Sequence, residues 1–282
     1  MTTISTSAVS TDNVMQLVEK QIKDKLDNLE IAILDSLEND DNGNAIRLGK
    51  EAINTTTKHS DFCRCQILPF LYYLSNAYYN TKDFKKASQC FSSIYRDLDS
   101  FPVEMFPQIL AAYAETSYKL SDRDLAIKLL MEALYVYYEA ELEDVKSYLK
   151  INQLLALLHL EIKDMNMALG CYDEVLKTSC DLCVYVARDN FVHTYNFLFN
   201  LTESGYYHQA EKYIKLVQKM IVDKFDGDQY MLGLVYYLFS NLYSRMKKPG
   251  KSMKFHDRYV ALLGDDFFVC PNCNTESLAL VA

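Results

Sequence analysis

The residues best suited to chemistry in this chain are its eight cysteines and five histidines, and they would serve metal ligation or thiol exchange. Cys270-Pro-Asn-Cys273 places two thiols with two residues between them, a spacing at which both thiolates can reach one zinc ion. A tetrahedral site needs two further ligands, and only nine residues follow Cys273. Cys180-Asp-Leu-Cys183, with His193 nearby, repeats the spacing far upstream. Two unrelated thiol pairs is the reading we prefer, with zinc at Cys270 and Cys273 as the alternative. Neither pair sits in the strand–helix–strand context of a redox Cys-x-x-Cys, and Cys63-Arg-Cys65 is too tight for one tetrahedral chelate. No nucleophile elbow, phosphate loop, dinucleotide fingerprint or His-Glu-x-x-His string occurs. Glu141 and Glu143 read as a solvated acidic pair at a helix end. We therefore expect no catalytic set, hence no enzyme, and no cofactor other than that alternative zinc.

The elements that would carry these residues follow from composition. Apolar residues make up 50% of 282 and charged residues 24%, enough for a sizeable core. Only 8 Gly and 5 Pro occur, too few for a turn-rich β fold, so the chain reads as helices with short polar links. The net charge of −9 and the lack of a Lys/Arg stripe argue against direct nucleic-acid binding. No apolar run approaches the length of a membrane span, so no membrane insertion is expected. The N-terminus lacks a basic flank and apolar stretch, and the scattered cysteines look reduced. Cytoplasm or nucleus follows.

Self-similarity organises the whole. Leu71, Leu74, Ser75 and Tyr78 fall on one helical face; after the turn Asn80-Thr-Lys-Asp83, so do Phe84, Ala87, Phe91 and Ile94. The turn is expected to cap the second helix. The small residue opening that helix recurs as Ala87, Ala126, Ala168, Ala210 and Ser252, at intervals of 39, 42, 42 and 42, with a weaker copy around Ala45. In the copy before Ala210, Phe197-Leu198 replaces the small residue of the first helix, so its two helices should stand further apart. Ser121-Asp-Arg-Asp124 has the form of a capping box, Ser204-Gly205 breaks helix, and Pro249 suits a first turn.

This pattern resembles the tetratricopeptide-repeat family in a long variant, like that of kinesin-light-chain-type adaptors and bacterial peptide-sensing regulators. Ile94 departs from the family by being larger than its usual small residue. The resemblance implies an all-α, right-handed solenoid of five to six stacked antiparallel helix pairs. It also implies a concave groove lined by the first helix of each repeat. Carried over position by position, the groove would hold Tyr72, Asn76, Tyr79 and Asn80; Glu115, Tyr118 and Lys119; Lys150 and Gln153; Tyr195 and Phe199; and Tyr237, Asn241 and Arg245. Asn76 and Asn241 stand where such repeats hold a ligand's backbone. The alternative is that many of these tyrosines cover seams between repeats. A carboxylate clamp of the chaperone co-factor kind is not expected, because Tyr72, Ala112 and Leu154 replace its polar residues and only Lys150 matches on the basic side. His159 falls on a core position.

The layout expected is a polar tail or helix lead-in over 1–25, repeats over 26–264, and a tail with the Cys-Pro-Asn-Cys motif over 265–282. The function expected is an adaptor or scaffold that binds a protein or peptide segment, within a multiprotein complex. A peptide-sensing regulator and a zinc-dependent subunit of a larger complex are the alternatives.

Overall fold

A computed structural model describes residues 11–58, 66–179 and 184–264. These residues form twelve α-helices and no strand. In chain order they are α1 (Thr11–Glu38), α2 (Asn42–Thr57), α3 (Leu68–Asn80), α4 (Phe84–Tyr95), α5 (Phe106–Lys119), α6 (Arg123–Glu139), α7 (Val145–Glu161), α8 (Met165–Ser179), α9 (Val184–Glu203), α10 (Tyr207–Lys224), α11 (Gln229–Arg245) and α12 (Pro249–Leu263). Taken in pairs they make six hairpins, the first of which, α1–α2, is the copy around Ala45. Residues 11–25, read as a lead-in, already belong to α1.

One turn is used six times. Two residues past the first helix of each hairpin stands a residue with positive φ: Asp40, Lys82, Ser121, Lys163, Gly205 and Lys247. The amide of the next residue then donates to the carbonyl five residues back, as Asp83 does to Tyr78 and Lys248 to Tyr243. This arrangement satisfies carbonyls that the helix end leaves open. The same next residue caps the second helix. Asp41, Asp83, Asp122 and Asp164 accept from the amides of Asn44, Lys86, Leu125 and Met167. The capping box read at Ser121–Asp124 is thereby corrected. Ser121 has φ 66° and serves as the left-handed residue, while Asp122 is the cap. Tyr206 and Lys248 replace the aspartate in the last two hairpins and supply no side-chain cap, and Pro249 stands in the first turn of α12.

The chain divides into two compact units, Met1–Leu142 and Glu143–Ala282, where the sequence suggests one repeat domain. In the first unit each helix packs on the next from α1 to α6, and α1 also meets α3. Leu26, Leu29, Ile33, Leu48, Ala52 and Phe70 form the core of its N-terminal part. In the second unit α7 packs on α8 and α9, α9 on α10 and α11, and α11 on α10 and α12. One cluster from Leu149 to Tyr243 fills it. The small markers Ala45, Ala87, Ala126, Ala168 and Ala210 are all buried, which lets paired helices approach closely. Ser252, the last marker, donates its hydroxyl to the Ser240 carbonyl at 2.9 Å. Four residues after Ala87, Ala126, Ala168 and Ala210 stand Phe91, Leu130, Tyr172 and Ile214, all buried, but on α12 that position is the exposed His256. Among the described residues, α9 and α10 make the sparsest contact of any hairpin, as Phe197 and Leu198 at the small-residue site lead one to expect.

Candidate functional site

In the first unit the candidate residues lie on α3 and α5. Tyr72, Asn76 and Tyr79 occupy one face of α3 and are half-buried; Asn80 closes the helix and is exposed. Glu115 and Tyr118 stand half-buried on α5, and Lys119 is exposed. The Tyr79 hydroxyl donates to Glu115 across 2.9 Å, tying α3 to α5. Burial first, and then the Glu115 carboxylate, push the Tyr79 phenol far above its ordinary range. The Tyr79 ring also meets Phe84 edge-on at 5.3 Å, and the Asn80 amide donates to Asn42 at 3.0 Å. Tyr79, Asn80 and Glu115 therefore serve the seam between successive hairpins, while Tyr72 and Asn76 keep part of their surface exposed.

The second unit closes its row more fully. Gln153 is 5% exposed and Tyr195 1% exposed, so neither offers its side chain to a ligand in this conformation. Each sits on a first helix whose neighbours pack over the expected lining position. Tyr195 stacks near Phe199 at 6.1 Å and meets Tyr237 at 6.3 Å, and Tyr237 meets Tyr259 edge-on at 5.3 Å. Asn241 does not present a free amide. It donates to Glu203 at 3.2 Å, and the Arg245 guanidinium forks onto the same carboxylate. Burial, with Glu203 second, raises the Tyr237 phenol. Lys150 is exposed at the start of this unit.

Sequence reasoning missed the device that recurs at these seams. Tyr73 donates to Glu30 at 2.7 Å, Tyr95 to Glu132 at 2.8 Å, Tyr213 to Asp173 at 2.8 Å and Tyr243 to Glu211 at 3.1 Å. The available signal was a tyrosine and a carboxylate about one repeat apart, on neighbouring hairpins. In each the ring buries apolar surface while its hydroxyl finds an acceptor; none of the four belongs to the expected lining, in which Tyr79 makes the same kind of bond.

Cys63, Cys65, Cys180, Cys183, Cys270 and Cys273 lie outside the described residues. Cys90 and Cys171 are described, half-buried and free. Burial pushes the Cys90 thiol up to about 11, so it stays protonated and unreactive near neutrality. His159 is buried, with Nδ1 3.6 Å from the Asp164 carboxylate. Among the described residues no cluster of His, Cys, Asp and Glu is arranged to hold a metal, and no helix is long and apolar enough to cross a membrane.

No family model matches the sequence, and no curated protein matches it. Solved structures do match in shape. A tetratricopeptide repeat protein from Parabacteroides merdae superposes with a TM-score of 0.58 at 15% identity, covering 85% of this chain and 80% of its own. BtubC (BKLC) from P. vanneervenii gives 0.53 at 17% identity, covering 88% and 96%. The Rap conjugation gene regulator of plasmid pLS20, solved in complex with the Phr* peptide, gives 0.50 at 14% identity, covering 94% and 83%. Together with six hairpins closed by one repeated turn, these likenesses identify the fold as that of the tetratricopeptide-type repeat proteins.

Proposed function

We propose that this chain is a non-catalytic adaptor that holds a segment of a partner protein, and that the face formed by α3 and α5 in the first unit is where the segment docks. The observation behind this reading is the contrast between the two rows. Tyr72, Asn76 and Tyr118 are half-buried, with ring and amide surface left over, whereas Tyr195 is covered and Asn241 is already bonded to Glu203. Half-buried tyrosines make strong anchors because a rigid ring offers large contact area at small entropic cost. A side-chain amide between them supplies both donor and acceptor for an extended backbone.

The test is affinity purification from native cells, comparing the unaltered chain with one carrying Tyr72→Ala, Asn76→Ala and Tyr118→Ala together. Circular dichroism shows first that the variant is folded. Loss of the main co-purifying protein is expected; undiminished recovery sinks the assignment. A second reading, a regulator that senses a short free peptide, is favoured by the likeness to the peptide-bound Rap protein. It requires a change in small-angle scattering dimensions when peptide is added, which the adaptor reading does not.

A further inference from the structure

The acidity of the whole chain hides a local reversal. From Lys247 to Leu263 the sequence carries Lys247, Lys248, Lys251, Lys254 and Arg258 against one carboxylate, Asp257. Spacings of three and four put Lys251, Lys254 and Arg258 on one face of α12, with Lys247 and Lys248 in the turn before it. Helix α10 does the same with His208, Lys212, Lys215 and Lys219, all exposed.

Tyr243 of α11 links the two stripes. Lys215 donates to Glu211 at 2.6 Å, the Tyr243 hydroxyl donates to the same carboxylate at 3.1 Å, and the Lys251 ammonium lies 5.1 Å from the centre of the Tyr243 ring. Lys215 first, and Lys251 among the others, hold the Glu211 carboxyl below its ordinary range, which agrees with a field that is positive on balance. Arg258 lies 5.6 Å from the ring centres of both Tyr236 and Phe255. Contacts of this kind keep the cations on the surface in defined places.

Apolar side chains interrupt the cations. Leu216 is 45% exposed and Val222 54% exposed on α10. Leu216 helps line an open cleft of about 490 Å³ together with His208, Glu211, Lys212, Lys215 and Lys219.

We propose that this face of α10 and α12 is a second docking surface, and that its occupant is an acidic, amphipathic segment of a protein. The charge pattern selects acid, with cations one helical turn apart that match carboxylates on a facing helix. Leu216 and Val222 call for apolar partners, which a phosphate backbone does not offer. A cleft also suits an inserted side chain better than a flat bilayer surface does.

This surface shares no residue with the face that carries Tyr72, Asn76 and Tyr118, so either assignment can fail alone. The probe is a fluorescent helical peptide built from Glu and Leu in amphipathic order, titrated into the full chain at low and at high salt. A single-stranded RNA oligomer and phosphatidylserine-containing vesicles are titrated in parallel. Saturable peptide binding that weakens with salt, and weakens about tenfold or more in Lys212→Glu/Lys219→Glu/Lys254→Glu, is expected. Should that variant misfold, Lys212→Gln/Lys219→Gln/Lys254→Gln is used, and a smaller loss is expected. No peptide binding at low salt, equal binding by a folded variant, or RNA or vesicle binding that the peptide fails to displace would each overturn the proposal.

Discussion

Lys82, Lys163 and Lys247 hold the backbone in the left-handed region, with φ of 63°, 63° and 56°. A Cβ disfavours this conformation and glycine does not. Gly205 occupies the same position in the fifth hairpin at φ 86°, with open space around it. Lys163→Gly should therefore raise stability by about 0.5–1 kcal/mol, after allowing for the freedom glycine adds to the unfolded chain, and Gly205→Ala should lower it by about as much. Asp122→Ala removes a cap that accepts from the Leu125 amide and should cost about 1 kcal/mol. Urea midpoints at constant slope check all three.

The seam tyrosines make a second prediction at this scale. Burial first, and then their carboxylate partners, raise the phenols of Tyr73, Tyr79, Tyr213 and Tyr243 from an ordinary value of 10.0. The Glu132 bond, ahead of burial, lifts Tyr95 to about 12. Above pH 10 the unfolded chain loses phenolic protons that the folded chain retains, so the folded state binds more protons and stability falls as pH rises. Unfolding midpoints should hold steady from pH 8 to 9 and fall steeply beyond pH 10, with tyrosinate absorbance appearing at the unfolding transition. Early tyrosinate absorbance from all tyrosines in the folded state would contradict the seam bonds.

At the scale of the helix, periodicity was the legible signal. The stripe through Phe84, Ala87, Phe91 and Ile94 is the stripe that α4 buries or half-buries, because a 3.6-residue repeat leaves few ways to hide apolar side chains. The turn was harder to read. Ser121-Asp-Arg-Asp124 satisfies the capping-box pattern one residue early, and only the left-handed residue before the cap fixes the frame. The role of each tyrosine was not legible, since a ring with a hydroxyl suits a seam and a binding face equally. Tyr79 and Tyr195 went to the seam through partners on a neighbouring hairpin, Glu115 and Tyr237, that no local window contains. Gly170 provides an element-scale test: it lies inside α8, exposed, and a methyl group added there would meet nothing within 4 Å. Gly170→Ala should stabilise the second unit by about 1 kcal/mol, read as a raised thermal midpoint.

At the scale of the molecule, the recurring small residue at intervals of 39 and 42 pointed to five hairpins and a weaker sixth around Ala45, because a hairpin needs a small residue where its two helices approach. The division after Leu142 was not visible, since the repeat continues in phase across it. On α12 His256 takes a position that is apolar and buried in four of the preceding copies, and Met253 of the same helix is 68% exposed. The basic surface of α10 and α12 was hidden for a simpler reason: a net charge of −9 averages over it.

The most direct measurement of the central claim is hydrogen exchange on the full chain, alone and with the protein recovered by affinity purification bound to it. If the first helices of the first unit hold the partner, amides in α3 and α5 gain protection on binding, around Tyr72, Asn76 and Tyr118. Protection that leaves α3 and α5 unchanged and falls only on α4 and α6 would contradict the account.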